Sequence, residues 1–266
     1  MKLLRRILIG AVRVVLMLAI VLAGIYFVAP IALSFYAAKK APDIVRVVPT
    51  ELKDHSASQA PATKLSYLGH DFELPWTDLD DSKTVLYPKE KPEKTRVVLT
   101  FRSGLRVMVT SIRPREYADE FATDYKMSTR TFEAVFGPGT ATSDYVFAKN
   151  IYEVTPASMH YWTLSQGVRY RDMMRLLIKS VMPAKEADTG IFRVQNLDYK
   201  GFQQGNPNIR QNRILVNLFS DGGEIEIVFL LKDYDSQIVT QPEINRVIQS
   251  LKASSSVPAI PQVAKR

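Results

Sequence analysis

The sequence predicts an α+β fold, in which an antiparallel sheet is flanked by helices and preceded by one N-terminal transmembrane helix. The 25 residues from Val14 to Ala38 contain no charged side chain. Two later segments alternate apolar and polar residues across short turns that contain glycine, which is typical of β-hairpins. Other segments repeat apolar residues at helical spacing. Since strands and helices come in separate runs, the pattern favours α+β over a repeated β-α-β unit.

The uncharged run, residues 14–38, is interpreted as a transmembrane signal-anchor. At about 1.5 Å per residue it is long enough to cross a hydrocarbon core of roughly 30 Å. A cleavable signal peptide has a shorter apolar region of about 7–15 residues, and a helix buried in a soluble core usually shows a polar face. Phe35 and Tyr36 precede Lys39 and Lys40, the aromatic-then-basic order expected where a helix leaves a bilayer.

Basic residues on either side of the anchor predict its orientation. The basic N-terminal flank, residues 1–13, holds four of them and the far side holds three: Lys2, Arg5, Arg6 and Arg13 against Lys39, Lys40 and Arg46. Lysine and arginine concentrate on the cytoplasmic side of a membrane. We therefore expect a cytoplasmic N-terminus and an extracytoplasmic domain. The chain has no cysteine and no N-glycosylation sequon, which favours a bacterial inner membrane over a eukaryotic secretory setting.

The net charge of +8 is partly a consequence of this topology. Six of the 35 basic residues lie in the first 40 positions, where there is no acidic residue. The rest of the chain holds 29 basic and 27 acidic residues. We therefore expect no nucleic-acid partner.

The chain divides into three parts after the anchor. Residues 39–63 are interpreted as a tether, because Pro42, Pro49 and Pro61 discourage a continuous helix. Residues 253–266 lack any periodic pattern and are predicted to be a disordered tail. The remaining residues, 64–252, are enough for one α+β domain with its own core.

Two hairpins frame this domain. The first covers residues 95–109 and turns at Ser103-Gly104, and the second covers residues 214–231 and turns at residues 220–223. In the second hairpin, Glu224 and Glu226 mark the face opposite the apolar one. Further strands are predicted at residues 66–74 and 191–197.

Helices are predicted in the middle and at the end of the domain. Thr240 and Glu243 form a capping box, in which a hydroxyl and a carboxylate bind free N–H groups of the first turn. An apolar stripe follows at Ile244, Val247, Ile248 and Leu251. The other predicted helices cover residues 115–121, 129–136, 144–153 and 167–181, the last with Tyr170, Met173, Leu177 and Val181 on its apolar side.

Phe72-Glu73-Leu74-Pro75 ends a predicted strand, and residues 243–251 form the closing helix. Together with the early hairpin, the helical middle and the late hairpin, this order of elements resembles the PsbP-like fold over residues 64–252. The resemblance implies an antiparallel sheet flanked by helices and a small accessory or binding protein rather than an enzyme. It assigns no functional residue, and fold alone does not determine function.

No motif for catalysis, metal binding or nucleotide binding stands out, so no catalytic residue, metal ligand or cofactor is predicted. The three histidines, His55, His70 and His160, lie at no metal-ligand spacing. The acidic residues after Trp76 lack the glycine and glutamate positions of a calcium loop: Asp78, Asp80 and Asp81.

A row of basic residues is the candidate binding surface. Arg171, Arg175 and Lys179 are spaced i, i+4 and i+8 on one predicted helix, and Arg102 and Arg106 flank the turn of the first hairpin. These residues are interpreted either as a surface for an anionic partner or lipid headgroups, or as the solvated face of a helix. A second set, Tyr145, Tyr152 and Tyr161-Trp162, is interpreted either as the lining of a groove or as core.

The leading hypothesis is a membrane-anchored extracytoplasmic accessory or binding protein. Its partners are the lipid bilayer, through residues 14–38, and a protein whose identity the sequence does not give. The alternative is an envelope-associated enzyme such as a hydrolase. Perturbed carboxylates clustered in a pocket would favour the enzyme, and an exposed apolar patch or a groove without titratable groups would favour binding. A third hypothesis inverts the topology and places the domain in the cytoplasm.

Overall fold

The computed structural model describes residues 43–88, 94–160, 163, 165–181, 189–231 and 239–254, together with separate positions between 16 and 40 that are helical. Within these described residues, no helix is long and apolar enough to cross a membrane. The predicted transmembrane segment, 14–38, lies partly outside them. The basic flank at 1–13 and residues 255–266 of the predicted tail lie wholly outside them.

Among the described residues, eleven strands form two sheets. In chain order they are β1 Thr50–Glu51, β2 Thr63–Tyr67, β3 His70–Leu74, β4 Val85–Pro88, β5 Lys94–Thr100, β6 Arg106–Ile112, β7 Ile191–Gln195, β8 Lys200–Gln204, β9 Arg213–Ser220, β10 Gly223–Leu230 and β11 Lys252–Ala253. The main sheet has eight strands in the order β1-β7-β8-β9-β10-β6-β5-β4, and the small sheet has the order β11-β3-β2.

The main sheet is mixed, which corrects the prediction of an antiparallel sheet. Both predicted hairpins are present, as the β5–β6 and β9–β10 pairs. However, β1 runs parallel to β7, with Thr50 opposite Phe192 and Glu51 opposite Arg193. A two-residue strand is too short to show an alternating pattern, so this pairing was not predictable from the sequence.

The small sheet contains a hairpin that the sequence analysis took for one strand. Residues 66–74 divide at Leu68 and Gly69, whose φ angles are 56° and 79°. Glycine adopts this left-handed conformation readily, whereas leucine rarely does. Leu68 therefore occupies a turn position where glycine is usual. Because the alternation of β2 continues into β3 without a clear turn signal, residues 66–74 were predicted as one strand.

The described part of the domain also contains five α-helices: α1 Glu116–Asp124, α2 Thr129–Phe136, α3 Asp144–Glu153, α4 Gln166–Val181 and α5 Gln241–Ser250. All five were predicted within a few residues. Side-chain caps explain the sharp starts of α2 and α3, since the hydroxyls of Ser128 and Ser143 accept from the N–H groups of Thr131 and Val146. At α5 the N–H of Thr240 donates to the Glu243 carboxylate at 2.7 Å.

The main sheet is covered on both faces. One face carries the largest core cluster, where apolar side chains of β5, β6, β9 and β10 pack against α5 and β3. The other face packs on α3 through a smaller cluster that includes Tyr152, Phe202 and Phe219. Helices α1, α2 and α3 share a third cluster of their own, rich in phenylalanine. Both faces of the central strands are therefore buried, including the one that holds Glu224 and Glu226.

The described part of the predicted tether, residues 39–63, is packed on the domain. Val45 is fully buried and Leu52 is nearly so. Asn245 of α5 donates through Nδ2 to the carbonyls of Asp54 at 2.8 Å and Ser56 at 2.7 Å. The domain thus begins earlier than residue 64, because these backbone groups find their hydrogen-bond partners in α5 and β7.

Candidate functional site

Two neighbouring clefts open beside β7 and β8. The first has a volume of about 460 Å³ and lies where the β7–β8 and β9–β10 turns meet the starts of α1 and α3. The second has a volume of about 470 Å³ and reaches toward β1 and α5. Tyr145, Gln195 and Lys200 line both clefts, so we treat the two clefts as one candidate site.

Tyr145 and Lys200 form the ridge between the clefts. The Nζ atom of Lys200 lies 4.5 Å from the centroid of the Tyr145 ring, a cation–π contact. Tyr145 in turn stacks on Phe202, with ring centroids 5.5 Å apart and planes 11° from parallel. Because Phe202 is fully buried, the ridge is fixed to the core and presents an aromatic surface with a positive charge above it.

Asp144 supplies an acidic group to the first cleft. It is the first residue of α3, and its Oδ2 accepts from the N–H of Arg115 at 2.6 Å. Arg115 has φ 64°, a strained conformation for a residue with a side chain. Burial raises the pKa of the Asp144 carboxyl, and the hydrogen bond from the Arg115 N–H lowers it. The negative charges of Asp119 and Glu116 raise this pKa further, and the positive charge of Arg115 lowers it. A carboxyl shifted in this direction exchanges its proton closer to neutral pH.

A polar network lies buried beneath the first cleft, on the face of β8, β9 and β10 that α1 and α3 cover. Asn217 donates to Glu224 Oε1 at 2.6 Å, and Gln204 donates to Asn217 Oδ1 at 3.3 Å and to the Tyr152 hydroxyl at 2.6 Å. Glu224 is only 1% exposed. Burial raises its pKa to about 8, opposed by the Asn217 bond and reinforced by the charge of Glu226.

The buried network carries a proton at neutral pH. Since the pKa of Glu224 lies near 8, its carboxyl is largely protonated at pH 7 and offers a donor as well as acceptors. Burial likewise raises the pKa of the Tyr117 and Tyr152 phenols, and the charge of Glu224 is the second-largest cause of the rise. The network is sealed from solvent, so a ligand in the clefts meets Asp144 and the ridge but not Glu224.

The basic row does not form one exposed surface. Lys179 is 0% exposed, and its Nζ donates at 2.7 Å to each of the carbonyls of Val47, Tyr152 and Val154. Because Lys179 is buried, it neither contributes to a surface for a partner nor lies on a solvated face of the helix, so both interpretations of this residue are wrong. Burial lowers its pKa to about 8.

Arg175 and Arg171 also turn toward helix ends. Arg175 is half-buried and donates through Nε and Nη2 to the carbonyl of Phe136, the last residue of α2. Arg171 approaches the carbonyl of Ala134 at 3.4 Å. The row thus lies along the carboxyl ends of α2 and α3, where the helix dipole favours positive charge.

Arg102 and Arg106 lie apart from this row. They are exposed at the β5–β6 turn, where the Asp78 carboxylate accepts from the N–H of Ser103 at 2.7 Å. Arg102, Arg106 and Arg171 remain candidates for an anionic partner, and that binding stays a prediction.

The histidines have ordinary polar partners. His70 Nδ1 lies 2.9 Å from the Tyr199 hydroxyl, and His160 Nδ1 lies 2.8 Å from Asp172 Oδ2. Burial lowers the pKa of His70 to about 4. Among the described residues, no group of three or more metal-binding side chains comes together.

The sequence analysis identified one of the site residues. Tyr145 was considered as groove lining and lies on the ridge, whereas Tyr152 is buried and Tyr161-Trp162 lie outside the described residues. In the sequence, Asp144 is an ordinary residue at a helix start, and Lys200 is an ordinary strand residue. Only the packing of α3 on β8 brings them together.

Comparisons with protein families, characterised proteins and solved structures found no match to this chain. The resemblance to the PsbP-like fold therefore stays a prediction. The candidate site has to be argued from its own geometry.

Replacing Lys179 tests the buried ammonium. Lys179→Met keeps the aliphatic stem but leaves three carbonyls without their donor, so we expect it to lower the free energy of unfolding by about 3 kcal/mol. Arg171→Met, which removes one long hydrogen bond near the surface, should cost less than about 1 kcal/mol. Urea unfolding of both variants measures the difference, and equal stabilities would contradict the role given to Lys179.

Glu224 predicts a pH dependence of stability. Its pKa of about 8 in the folded protein exceeds the usual value of 4.5, so the folded state holds a proton that the unfolded state has lost. Stability should therefore fall as pH rises from about 4.5 to about 8. Glu224→Gln, which resembles the protonated acid, should reduce this slope in thermal melts, and Asp221→Asn in an exposed turn should not. An unchanged slope in Glu224→Gln would mean that Glu224 is ionised in the fold.

Proposed function

We propose that this protein is a single-pass membrane-anchored binding or accessory protein, with its α+β domain outside the cytoplasm. The observation that carries the anchor is the exposure of its helix. Seven large apolar side chains between 16 and 28 are 57–72% exposed: Leu16, Met17, Leu18, Val21, Leu22, Ile25 and Val28. Exposed apolar side chains at so many described positions of one helix are unfavourable in water and favourable in a bilayer.

The clefts support the binding role. The Tyr145–Lys200 ridge combines an aromatic face, a positive charge and two adjoining cavities, and backbone strain at Arg115 marks the same region. Concave surfaces with a few fixed polar groups are the usual form of a ligand or peptide site. The cation on the ridge favours a partner that carries carboxylates or other anionic groups.

Asp144 supports the second candidate, an envelope-associated hydrolase. Its carboxyl has a raised pKa and lines the first cleft, which is the property expected of a general acid. The other carboxyl with a raised pKa, Glu224, is sealed beneath the cleft and does not line it. The first cleft therefore presents one perturbed acid, and binding is the better supported function.

Charged substitutions in the exposed helix test the anchor. Each arginine at the centre of a membrane helix costs about 3 kcal/mol of insertion, so Leu18→Arg with Leu22→Arg should release the protein from alkali-washed membranes. Leu197→Arg with Ile209→Arg, at exposed positions of the domain, should leave it there. Retention of the first variant would reject the anchor. A reporter fused after Arg266 that is active only outside the cytoplasm tests the orientation.

Substitutions on the ridge test the site. If the clefts bind a protein partner, Tyr145→Ala and Lys200→Ala should each reduce its recovery by crosslinking in cells about tenfold or more, as at an interface hot spot. Lys64→Ala, on the exposed edge of the small sheet, is the matched control. If the protein is a hydrolase instead, the purified protein should cleave ester, peptide or glycan substrates. Asp144→Asn should then lower that rate by about 100-fold.

A further inference from the structure

We propose that the outer strands of the main sheet dock an acidic amphipathic α-helix of a partner protein. This surface is separate from the clefts and does not depend on the anchor. We call it the open strip, and it consists of exposed or partly buried side chains on β4, β5 and β6: Val85, Tyr87, Arg96, Val98, Arg106 and Met108.

The register of the strands places the open strip on the face opposite the main core. Val97 is fully buried in the largest core cluster. Its neighbour Val98 points to the other face, because successive side chains of a strand alternate. Met108 and Val85 lie opposite Val98 on the two adjacent strands and share its face. Tyr87 joins them, since it lies two residues after Val85 on β4.

The helical layer that covers this face over β8, β9 and β10 ends before the open strip. Val228 of β10 pairs with Met108 and is 5% exposed, whereas Val85 on the edge strand is 40% exposed and Tyr87 is 49% exposed. Among the described residues, the core clusters include neither Val85 nor Val98 nor Met108. The strip is therefore an apolar sheet face that a further layer can cover.

The charge of these strands selects the partner. β4, β5 and β6 contain no acidic residue. The guanidinium of Arg96 donates to the neutral hydroxyl of Thr110 at 3.3 Å, and Arg106 is exposed. A second copy of this chain would set arginines against arginines on this face, and like charges across an interface are unfavourable. A partner with carboxylates would pair with both arginines.

The dimensions of the open strip fit one helix. Three strands about 4.8 Å apart span about 10 Å, and the seven residues of β5 or β6 extend about 23 Å. An α-helix is about 10 Å in diameter, and about 15 of its residues extend the same 23 Å or so.

The spacing of the two arginines sets the spacing of the carboxylates. Arg96 pairs with Thr110, and Thr110 lies four residues along β6 from Arg106. This separation is about 13 Å, which corresponds to between two and three turns of a helix. The matching helix therefore carries an apolar stripe between acidic residues about eight positions apart.

A designed helix tests this chemistry on the purified full-length protein in lipid nanodiscs. The probe is a labelled peptide of about 15 residues, with a leucine stripe between two glutamates about eight positions apart. A second peptide has lysines in place of the glutamates, and nanodiscs without protein give the background. By fluorescence anisotropy we expect saturable binding of the glutamate peptide and binding of the lysine peptide that is weaker by about tenfold or more.

Substitutions in the open strip test where the probe binds. Val85→Glu and Arg106→Glu should each weaken binding of the glutamate peptide by about tenfold or more, and Arg106→Glu should strengthen binding of the lysine peptide. Arg130→Glu, at an exposed position of α2, is the matched control and should change neither affinity. Thermal melts check folding, and Arg106→Glu decides the matter if Val85→Glu fails to fold.

Crosslinking in cells identifies the natural occupant. With the photoreactive residue benzoylphenylalanine in place of Tyr87, we expect one protein product, whose crosslinked segment is an amphipathic helix with carboxylates beside its apolar stripe. Arg106→Glu should abolish this product. The same residue in place of Tyr125, which is 70% exposed at the end of α1, should not give it.

Several results would overturn the inference. They are equal binding of the two peptides, no product at position 87 beyond that at position 125, a basic or non-helical crosslinked segment, a lipid adduct, and a crosslinked dimer of this chain. Tyr145→Ala, on the ridge between the clefts, should leave all the measurements on the open strip unchanged. Failure of the cleft site and failure of the open strip are therefore distinguishable.

Discussion

The buried ammonium group of Lys179 connects three segments of the domain, and the rest of the structure depends on how these segments are held together. The Nζ atom of Lys179 binds the carbonyls of Val47, Tyr152 and Val154. Two of these carbonyls end α3, and the third lies just before β1. The bonds satisfy the end of one helix, fix α4 across it and hold the segment that leads to the parallel β1–β7 pair. A charge without a carboxylate partner is costly to bury, so these three acceptors have to be in place together.

The position of α3 in turn creates the candidate site. Its inner side contributes Tyr152 to the buried network of Glu224, Asn217 and Gln204, and its first turn contributes Asp144 and Tyr145 to the clefts. The helix is therefore held over a polar strip of the sheet by directional hydrogen bonds, which fix its rotation more strictly than apolar packing alone. That rotation decides which side chains of α3 line the clefts.

The described positions of the N-terminal helix and the segment after it pack on the domain. Arg169, Ala37 and Val45 join the helix to α4 and the core, and Leu52 and Asn245 hold the segment that follows. If this helix is the proposed anchor, the packed connection would fix the direction in which the clefts face relative to a bilayer, which a flexible tether would leave free. For a protein proposed to bind a partner at a membrane, this geometry limits which partners can reach the Tyr145–Lys200 ridge.

The sequence by itself determined the local elements. Alternation predicted the β5–β6 and β9–β10 hairpins, helical spacing predicted α4, and a capping box with helical spacing predicted α5, because these signals lie within a few residues of one another. The tertiary structure decided which faces of these elements are buried against one another. The polar face of β9 and β10 that holds Glu224 is covered by helices, and Lys179 is buried although its spacing allowed a solvated face of α4. The described part of the predicted tether is packed on the domain. A polar side chain is buried or exposed according to the partners that distant segments bring to it, and spacing along one segment carries no record of those partners.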